Sequence, residues 1–438
     1  MPDCRSCRFA PTRVQIGSLG RRTIPVFSPV SLDSTALERA RELDRVDPLA
    51  PFLERFAPTE PGLVYLDGNS LGRLPRQTIE DVGDLLAEQW GRRAVRGWSE
   101  GWMELGRDTG DRLATHLLGA PAASTVLADS TSVCLYKLAS AALAARPDRA
   151  TIVTDTDNFP SDRYIVEGLA ARHRKRVAWI ESDPITGPQP EQLEEAIRRA
   201  PDDIALVTFS HVSYRSAQIA DLKAVTALAH DAGALVLWDL CHSAGVLDPQ
   251  LAANDVDLAV GCTYKYLNGG PGAPAFLYVD PRLQNVLQQP IWGWLGRTDP
   301  FAMAAGYDPA SGIASFITGT PPILGITAAR SGIELSIEAG IDAIRAKSIA
   351  LTAYAIELVE ENLAALGVAI GSPRDPARRG GHVALTHPGA RALTSQLADR
   401  NVIADFRAPD VIRFGLSPLS TTFADVHTGV KALQDLLE

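Results

Sequence analysis

Residues 235–242 read Leu235-Val236-Leu237-Trp238-Asp239-Leu240-Cys241-His242, and residues 261–270 read Gly261-Cys262-Thr263-Tyr264-Lys265-Tyr266-Leu267-Asn268-Gly269-Gly270. Each places a chemistry-bearing residue, first an acid and then a lysine, just after an apolar run of strand length. In an open α/β sheet, ligands gather beyond the carboxyl ends of the strands, which is where Asp239 and Lys265 fall. A carboxylate able to hold a protonated pyridine nitrogen, and a lysine able to attach an aldehyde covalently, are the two protein groups that pyridoxal phosphate (PLP) most needs.

Outward from these runs the pattern alternates. Residues 151–154, 176–180, 205–209, 234–238, 258–261 and 275–279 read as strands, and 163–174, 191–199 and 222–232 carry helical periodicity between them. Strands alternating with helices predict an α/β fold with a mostly parallel sheet sandwiched by helices. From about Pro321 the texture changes to a long helical run through Leu366, then strand, helix, strand and a final helix ending at Leu437. The expected organisation is a loose N-terminal extension over 1–30, a segment over 31–74 joining the small domain, a large PLP-binding domain over 75–320, and a small C-terminal α+β domain over 321–438.

A chain of 438 residues suits two domains with ample buried core. The formal charge of -10 argues against nucleic acid and acidic membrane surfaces as partners, since both would repel the chain. No apolar run has membrane-spanning length, and the arginine-bearing first thirty residues lack the apolar core of a secretory signal. Five scattered cysteines suggest no disulfide framework, so a reducing cytoplasm is the expected compartment. Cys4 and Cys7 form a CxxC with no second pair or histidine cluster nearby, so no metal site is expected.

Other segments converge on the same cofactor. Asp129-Ser130-Thr131-Ser132 precedes an apolar helical run over 133–145, so hydroxyls and backbone N–H groups gather at a helix N-terminus, which suits phosphate. Taken alone it is an ordinary N-cap. Phe159, in Asn158-Phe159-Pro160-Ser161-Asp162, could lie on the pyridine ring or plug the core. His242 could help organise the site or satisfy a buried polar atom. Lys265 is either a surface lysine at a strand end or an ammonium partly desolvated by its Tyr-Lys-Tyr setting, and desolvation favours the neutral, nucleophilic amine.

The order Asn69-Ser70-Leu71-Gly72, Phe159-Pro160-Ser161-Asp162, Asp239-Leu240-Cys241-His242, Tyr264-Lys265-Tyr266-Leu267-Asn268-Gly269-Gly270 and Gly293-Trp294-Leu295-Gly296 resembles the kynureninase family, from about Tyr65 to Leu437. The wider fold type I PLP enzymes share the Asp and the Lys but not this combination. The resemblance implies hydrolysis of L-kynurenine to anthranilate and L-alanine, with 3-hydroxykynurenine as a related substrate, in tryptophan breakdown or NAD precursor synthesis. It implies that Lys265 carries PLP and shuttles the α-proton, and that Asp239 keeps the pyridine nitrogen protonated. Thr131, Ser132 and Tyr264 would hold the phosphate side, with Phe159 on the ring and Asp162, Ser210 and His242 lining the cofactor. Tyr264 is also the candidate acid for the β-carbon.

In the homodimer the family implies, Trp294 and Thr320 would reach the phosphate from the partner subunit. Arg413, in Asp410-Val411-Ile412-Arg413-Phe414-Gly415, resembles the arginine that grips the substrate carboxylate, a task suited to a guanidinium fork. Without the resemblance it reads as an edge arginine in a strand. Ser70 and Trp98 are candidates to meet the aryl group.

Two features depart from the family pattern: Leu295 stands where an aromatic residue is common, and Thr320 where the family has asparagine. A cysteine desulfurase-like β-lyase would share Asp239 and Lys265 but needs a reactive cysteine in the C-terminal part, and none follows Cys262. A non-catalytic PLP-binding sensor typically lacks the lysine or carries a basic DNA-binding module, and neither holds here.

Overall fold

Apolar residues alternate between two opposite cores along the central strands. The computed structural model describes residue 32 and residues 34–438; the 1–30 extension with Cys4 and Cys7 lies outside them. Near the N-terminus come α1 (Ser34–Val46), β1 (Val64–Tyr65), α2 (Arg76–Asp84) and α3 (Trp102–Leu117). The central run is β2 (Thr125–Ala128), α4 (Thr131–Ala144), β3 (Thr151–Asp155), α5 (Pro160–His173), β4 (Arg176–Ile180), α6 (Pro190–Arg199), β5 (Ile204–Ser210), α7 (Leu222–Asp231), β6 (Leu235–Asp239), β7 (Leu258–Cys262) and β8 (Ala275–Val279).

These strands form a seven-stranded sheet in the order β2-β8-β7-β6-β5-β3-β4, parallel from β7 through β4, with β8 antiparallel to both its neighbours. In β6, Val236 and Trp238 face a core shared with Leu113, Leu117, Leu222 and Val225, while Leu235 and Leu237 face Leu135, Leu138 and Ala142 of α4. Helices therefore cover both faces, as near-continuous apolar strands require. Truncating Leu237 to alanine would cost about 2–5 kcal/mol.

Chain-terminal elements build a second core. They are α8 (Ile323–Ala339), α9 (Ile341–Asn362), β9 (Ala369–Ile370), β10 (His382–Thr386), α10 (Ala390–Asp399), β11 (Val402–Ile403), β12 (Asp405–Arg407), β13 (Val411–Gly415) and α11 (Phe423–Leu437). Strands β12-β13-β10-β9 form an antiparallel sheet over Leu358, Val383, Ile412, Phe414 and Val430. Ala40 and Leu66 join the same core, Val64 pairs with Val402, and Arg39 Nη1 lies 2.7 Å from Glu357 Oε1, so residues 34–66 pack on this unit.

Two expectations need correction. The long helical run divides at Gly340, whose φ of 80° is open chiefly to glycine and whose N–H returns to Ser336 and Ile337 carbonyls, closing α8. Where one strand was expected after α10 there are three, because β11 and β12 are too short and β12 too polar to show a period of two.

Candidate active site

Asp239 is the last residue of β6 and is buried. Its Oδ1 accepts the Cys241 N–H at 2.8 Å, and Ser210 at the end of β5 sits with Oγ 3.5 Å from Oδ2 while donating to Asn158 Oδ1 at 2.8 Å. Asp162, in the first turn of α5, is also buried. Burial first, and then the Asp239 charge beside it, raise its carboxyl well above the usual range. Its carboxyl stands against that of Asp239, so that the two share a side-chain hydrogen bond.

Lys265 follows β7 on the adjacent loop and is 9% exposed. Its Nζ lies 3.3 Å from His242 Nε2. Burial and then the Lys265 charge push the His242 pKa well below its ordinary value, so the ring is neutral and Nε2 is the acceptor facing the ammonium. The same Nζ stands 5.9 Å from the Phe159 ring centroid and 5.8 Å from that of Tyr264. Burial also raises the Tyr264 pKa, which keeps the phenol protonated.

Helix α4 begins against these groups, with Ser130 at its N-cap. A cavity of about 260 Å³ is lined by Ser130, Thr131, Ser132, Phe159, Asp162, Asp239, His242, Tyr264 and Lys265. It has a helix N-terminus with hydroxyls at one part of its wall, carboxyls at another and a lysine between aromatic rings. That donor set fits PLP: an anion seat for phosphate, an acid for a pyridinium, and an amine for the aldehyde.

A buried arginine is tied to this cavity through Tyr214. Arg413, on β13, is 1% exposed and directly opposes Asp405 of β12. Its Nε donates to Asp405 Oδ1 at 2.7 Å and its Nη2 to Asp405 Oδ2, while Nη1 donates to the Tyr214 carbonyl and Nη2 meets Ser70 Oγ at 3.3 Å. The Tyr214 ring in turn packs edge-on against Phe159 at 5.3 Å.

The other anticipated residues lie elsewhere in the single chain. Trp98 and Thr320 line a larger cavity of about 880 Å³ whose wall includes Asp129; size notwithstanding, the groups with chemistry line the smaller one. Trp294 is partly exposed and packs edge-on against Phe301 at 5.8 Å. Close backbone approach accounts for two motif glycines. A Cβ on Gly72 would overlap the Lys265 carbonyl, and the Gly72 N–H donates to the Tyr264 carbonyl at 2.8 Å, so Asn69-Ser70-Leu71-Gly72 braces the lysine loop. A Cβ on Gly293 would overlap the Thr318 carbonyl.

Sequence reading missed Asp405, Tyr214, Asn158 and Cys241, which lines the cavity. Only for Asp405 was a signal available: Ala408-Pro409-Asp410 between two short runs is a turn, and a hairpin there pairs 405 with 413.

The family model described as "Kynureninase C-terminal domain" matches residues 344–433. Kynureninase of Pseudomonas fluorescens is 43% identical over 401 residues, covering 90% of this chain and 94% of that one. Kynureninase of Burkholderia pseudomallei strain K96243 is 40% identical over 406 residues, covering 92% and 95%. Among solved structures, the cysteine desulfurase CsdA of Escherichia coli superposes with a TM-score of 0.76 at 18% identity, covering 90% of this chain and 98% of its own. The apo cysteine desulfurase of Thermococcus onnurineus NA1 gives 0.74 at 20%, covering 88% and 97%. At those identities the likeness is one of fold, that of fold type I. Sequence identity of 40–43% over nearly the whole length of the relatives discriminates further, and it places this chain in the kynureninase family.

Proposed function

We propose that the chain is a PLP-dependent hydrolase that cleaves the Cβ–Cγ bond of L-kynurenine, and of its 3-hydroxy form, to an anthranilate and L-alanine. The observation that carries this reading is the gathering of Asp239, Tyr264 and Lys265 around one cavity beside the Arg413 fork. PLP, when bound, supplies the electron sink that stabilises negative charge at Cα and then at Cβ. Asp239 pairs with the pyridinium, its orientation fixed by the Cys241 N–H. Thr131, Ser132 and the start of α4 would take the phosphate and Phe159 would bound the ring, with Asp162, Ser210 and His242 lining the same pocket wall or its edge.

Arg413 grips the substrate carboxylate, and Ser70 at its edge meets the aryl side. Lys265 takes the α-proton, and its position against neutral His242 gives the ammonium a partner while it holds that proton. Water adds its oxygen to the γ-carbonyl carbon, the Cβ–Cγ bond breaks, and that carbon departs as the carboxylate of anthranilate; one water proton is released, the other restores Tyr264 after its transfer to Cβ, and Lys265 returns the α-proton to Cα to complete alanine. Tyr264, kept protonated by burial, donates to Cβ.

The cysteine desulfurase alternative is less favoured: the likeness to those enzymes is one of fold, and no cysteine follows Cys262. We read residues 75–320 as the large domain, 321–438 as the small one and 31–74 as joining it, acting as a homodimer in the cytoplasm. Exposed Trp292, Trp294, Phe301 and Met303 support a subunit contact through which Trp294 and Thr320 reach the partner's phosphate. Among the described residues, no helix is long and apolar enough to cross a membrane. Incubating the PLP-loaded protein with L-kynurenine tests the activity: anthranilate fluorescence and alanine in equal amounts are expected, and unchanged kynurenine would reject it.

A further inference from the structure

The guanidinium of Arg413 has five N–H donors. Asp405 takes two, on Nε and Nη2, in a side-on fork; the Tyr214 carbonyl takes one on Nη1; and Ser70 Oγ holds the second on Nη2 at 3.3 Å. One N–H on Nη1 is left, so an incoming carboxylate finds one open donor and one loosely held donor on the two terminal nitrogens. Asp405 is itself anchored: Ser70 Oγ donates to its Oδ2 at 3.0 Å, and Arg407 Nη2 stands 2.7 Å from the same oxygen. Burial pushes the Asp405 carboxyl up, but the hydrogen bond and charge of Arg413, the charge of Arg407 and the Ser70 hydroxyl together outweigh it and hold the carboxyl below its usual pKa, so it stays ionised while substrate binds.

We infer that Asp405 is a positioning residue that presets Arg413 as the receptor for the substrate carboxylate, fixing the plane of the guanidinium so that one donor on each terminal nitrogen faces the amino acid. The inference rests on the proposed function only in taking the ligand to be an α-amino acid. Cross-strand register makes the pairing local, because residues 405 and 413 are direct partners in β12 and β13. The Tyr214 carbonyl comes from the loop after β5, so the guanidinium is clamped from both sheets and cannot follow Asp405 away. Locked donors lose little entropy on binding, whereas a guanidinium released from its fork must be ordered by the ligand. Asp405 could instead act as a competitor that the substrate carboxylate must displace, and the two roles predict opposite signs.

Steady-state kinetics of Asp405→Asn, with inhibition by the decarboxylated analogue of kynurenine as control, separates them. Preset positioning gives a KM for kynurenine raised about tenfold or more with kcat changed by less than about threefold, and an unchanged inhibition constant for the analogue, which carries no carboxylate. A general structural role would move both ligands together, and a competitor role would lower KM; either overturns the inference. Asp405→Glu keeps the charge and shifts it by one methylene, so it should raise KM less than Asp405→Asn does; it serves alone if the asparagine variant does not fold, where an unchanged KM would overturn the inference. Should the wild type leave kynurenine intact, the proposed function fails while the inference is read by titrating L-alanine against the absorbance of the bound cofactor: weaker binding to the variant than to wild type supports it, and equal or tighter binding overturns it.

Discussion

Lys265 Nζ and His242 Nε2 stand 3.3 Å apart, the ammonium facing a ring that burial keeps neutral. A hydrogen bond to a charged group contributes about 1.5–3 kcal/mol, so removing the acceptor in His242→Phe should lower kcat/KM by about tenfold or more. Cofactor content should stay near wild type. Full activity in the phenylalanine variant would mean that the lysine needs no such partner.

Asp239 has its own consequence. Asp239→Asn keeps the shape and the Cys241 N–H contact while removing the charge that would hold a pyridinium. Loss of such preorganised charge stabilisation should cost kcat about a hundredfold or more. PLP should remain bound, since the α4 terminus and Lys265 are untouched. Stopped-flow or steady-state anthranilate formation reads this directly, and a variant within threefold of wild type would remove Asp239 from the chemistry.

Gly72→Ala probes the brace beneath the lysine. The added methyl meets the Lys265 carbonyl and the Asn268 side chain, both fixed by surrounding backbone. Overpacking of this kind costs about 1–3 kcal/mol, and the displaced loop should also lower activity at saturating cofactor. Urea unfolding with a parallel activity assay decides it: a change in stability with no change in turnover would detach the brace from the site.

His382 gives a pH dependence with a definite sign. It is fully buried, and burial first, then the Arg413 charge, lower its pKa to about 3. In the unfolded chain it protonates near pH 6.5, so as pH falls below that the unfolded state binds the extra proton and gains stability. His382→Asn removes this linkage. The stability of wild type relative to the variant should fall by about 2 kcal/mol between pH 7 and pH 5. A difference independent of pH would show that the ring titrates in the fold as it does in the unfolded chain, with no lowering by burial.

Much of this was legible in the sequence because strand and motif signals are local. All six expected strands of the large sheet lie within a residue or two of their observed ends, and eight anticipated residues, from Thr131 to Lys265, line one cavity. Strand β2 and the β12 hairpin escaped notice because two to four residues carry too little periodicity to register. Asp405 was passed over for a related reason: its importance comes from facing Arg413 across a hairpin, a relation fixed by register, for which the turn at Ala408-Pro409-Asp410 was the one available signal. Tyr214 acts through its backbone carbonyl, which no side-chain pattern can announce. Trp98 and Thr320 gather around a different cavity in the single chain, where the family resemblance alone had put Trp98 at the aryl group and Thr320 at the partner subunit's phosphate.

The central claim is that Lys265 carries PLP and that the loaded site hydrolyses kynurenine. The most direct measurement is the absorbance spectrum of PLP-loaded wild type and of Lys265→Ala, before and after L-kynurenine is added. The account predicts a visible band of covalently held cofactor in wild type that changes on addition as anthranilate and alanine appear, and in the variant no such band and no product. A wild type that takes up no PLP, or a Lys265→Ala protein that still forms anthranilate at the wild-type rate, would contradict it.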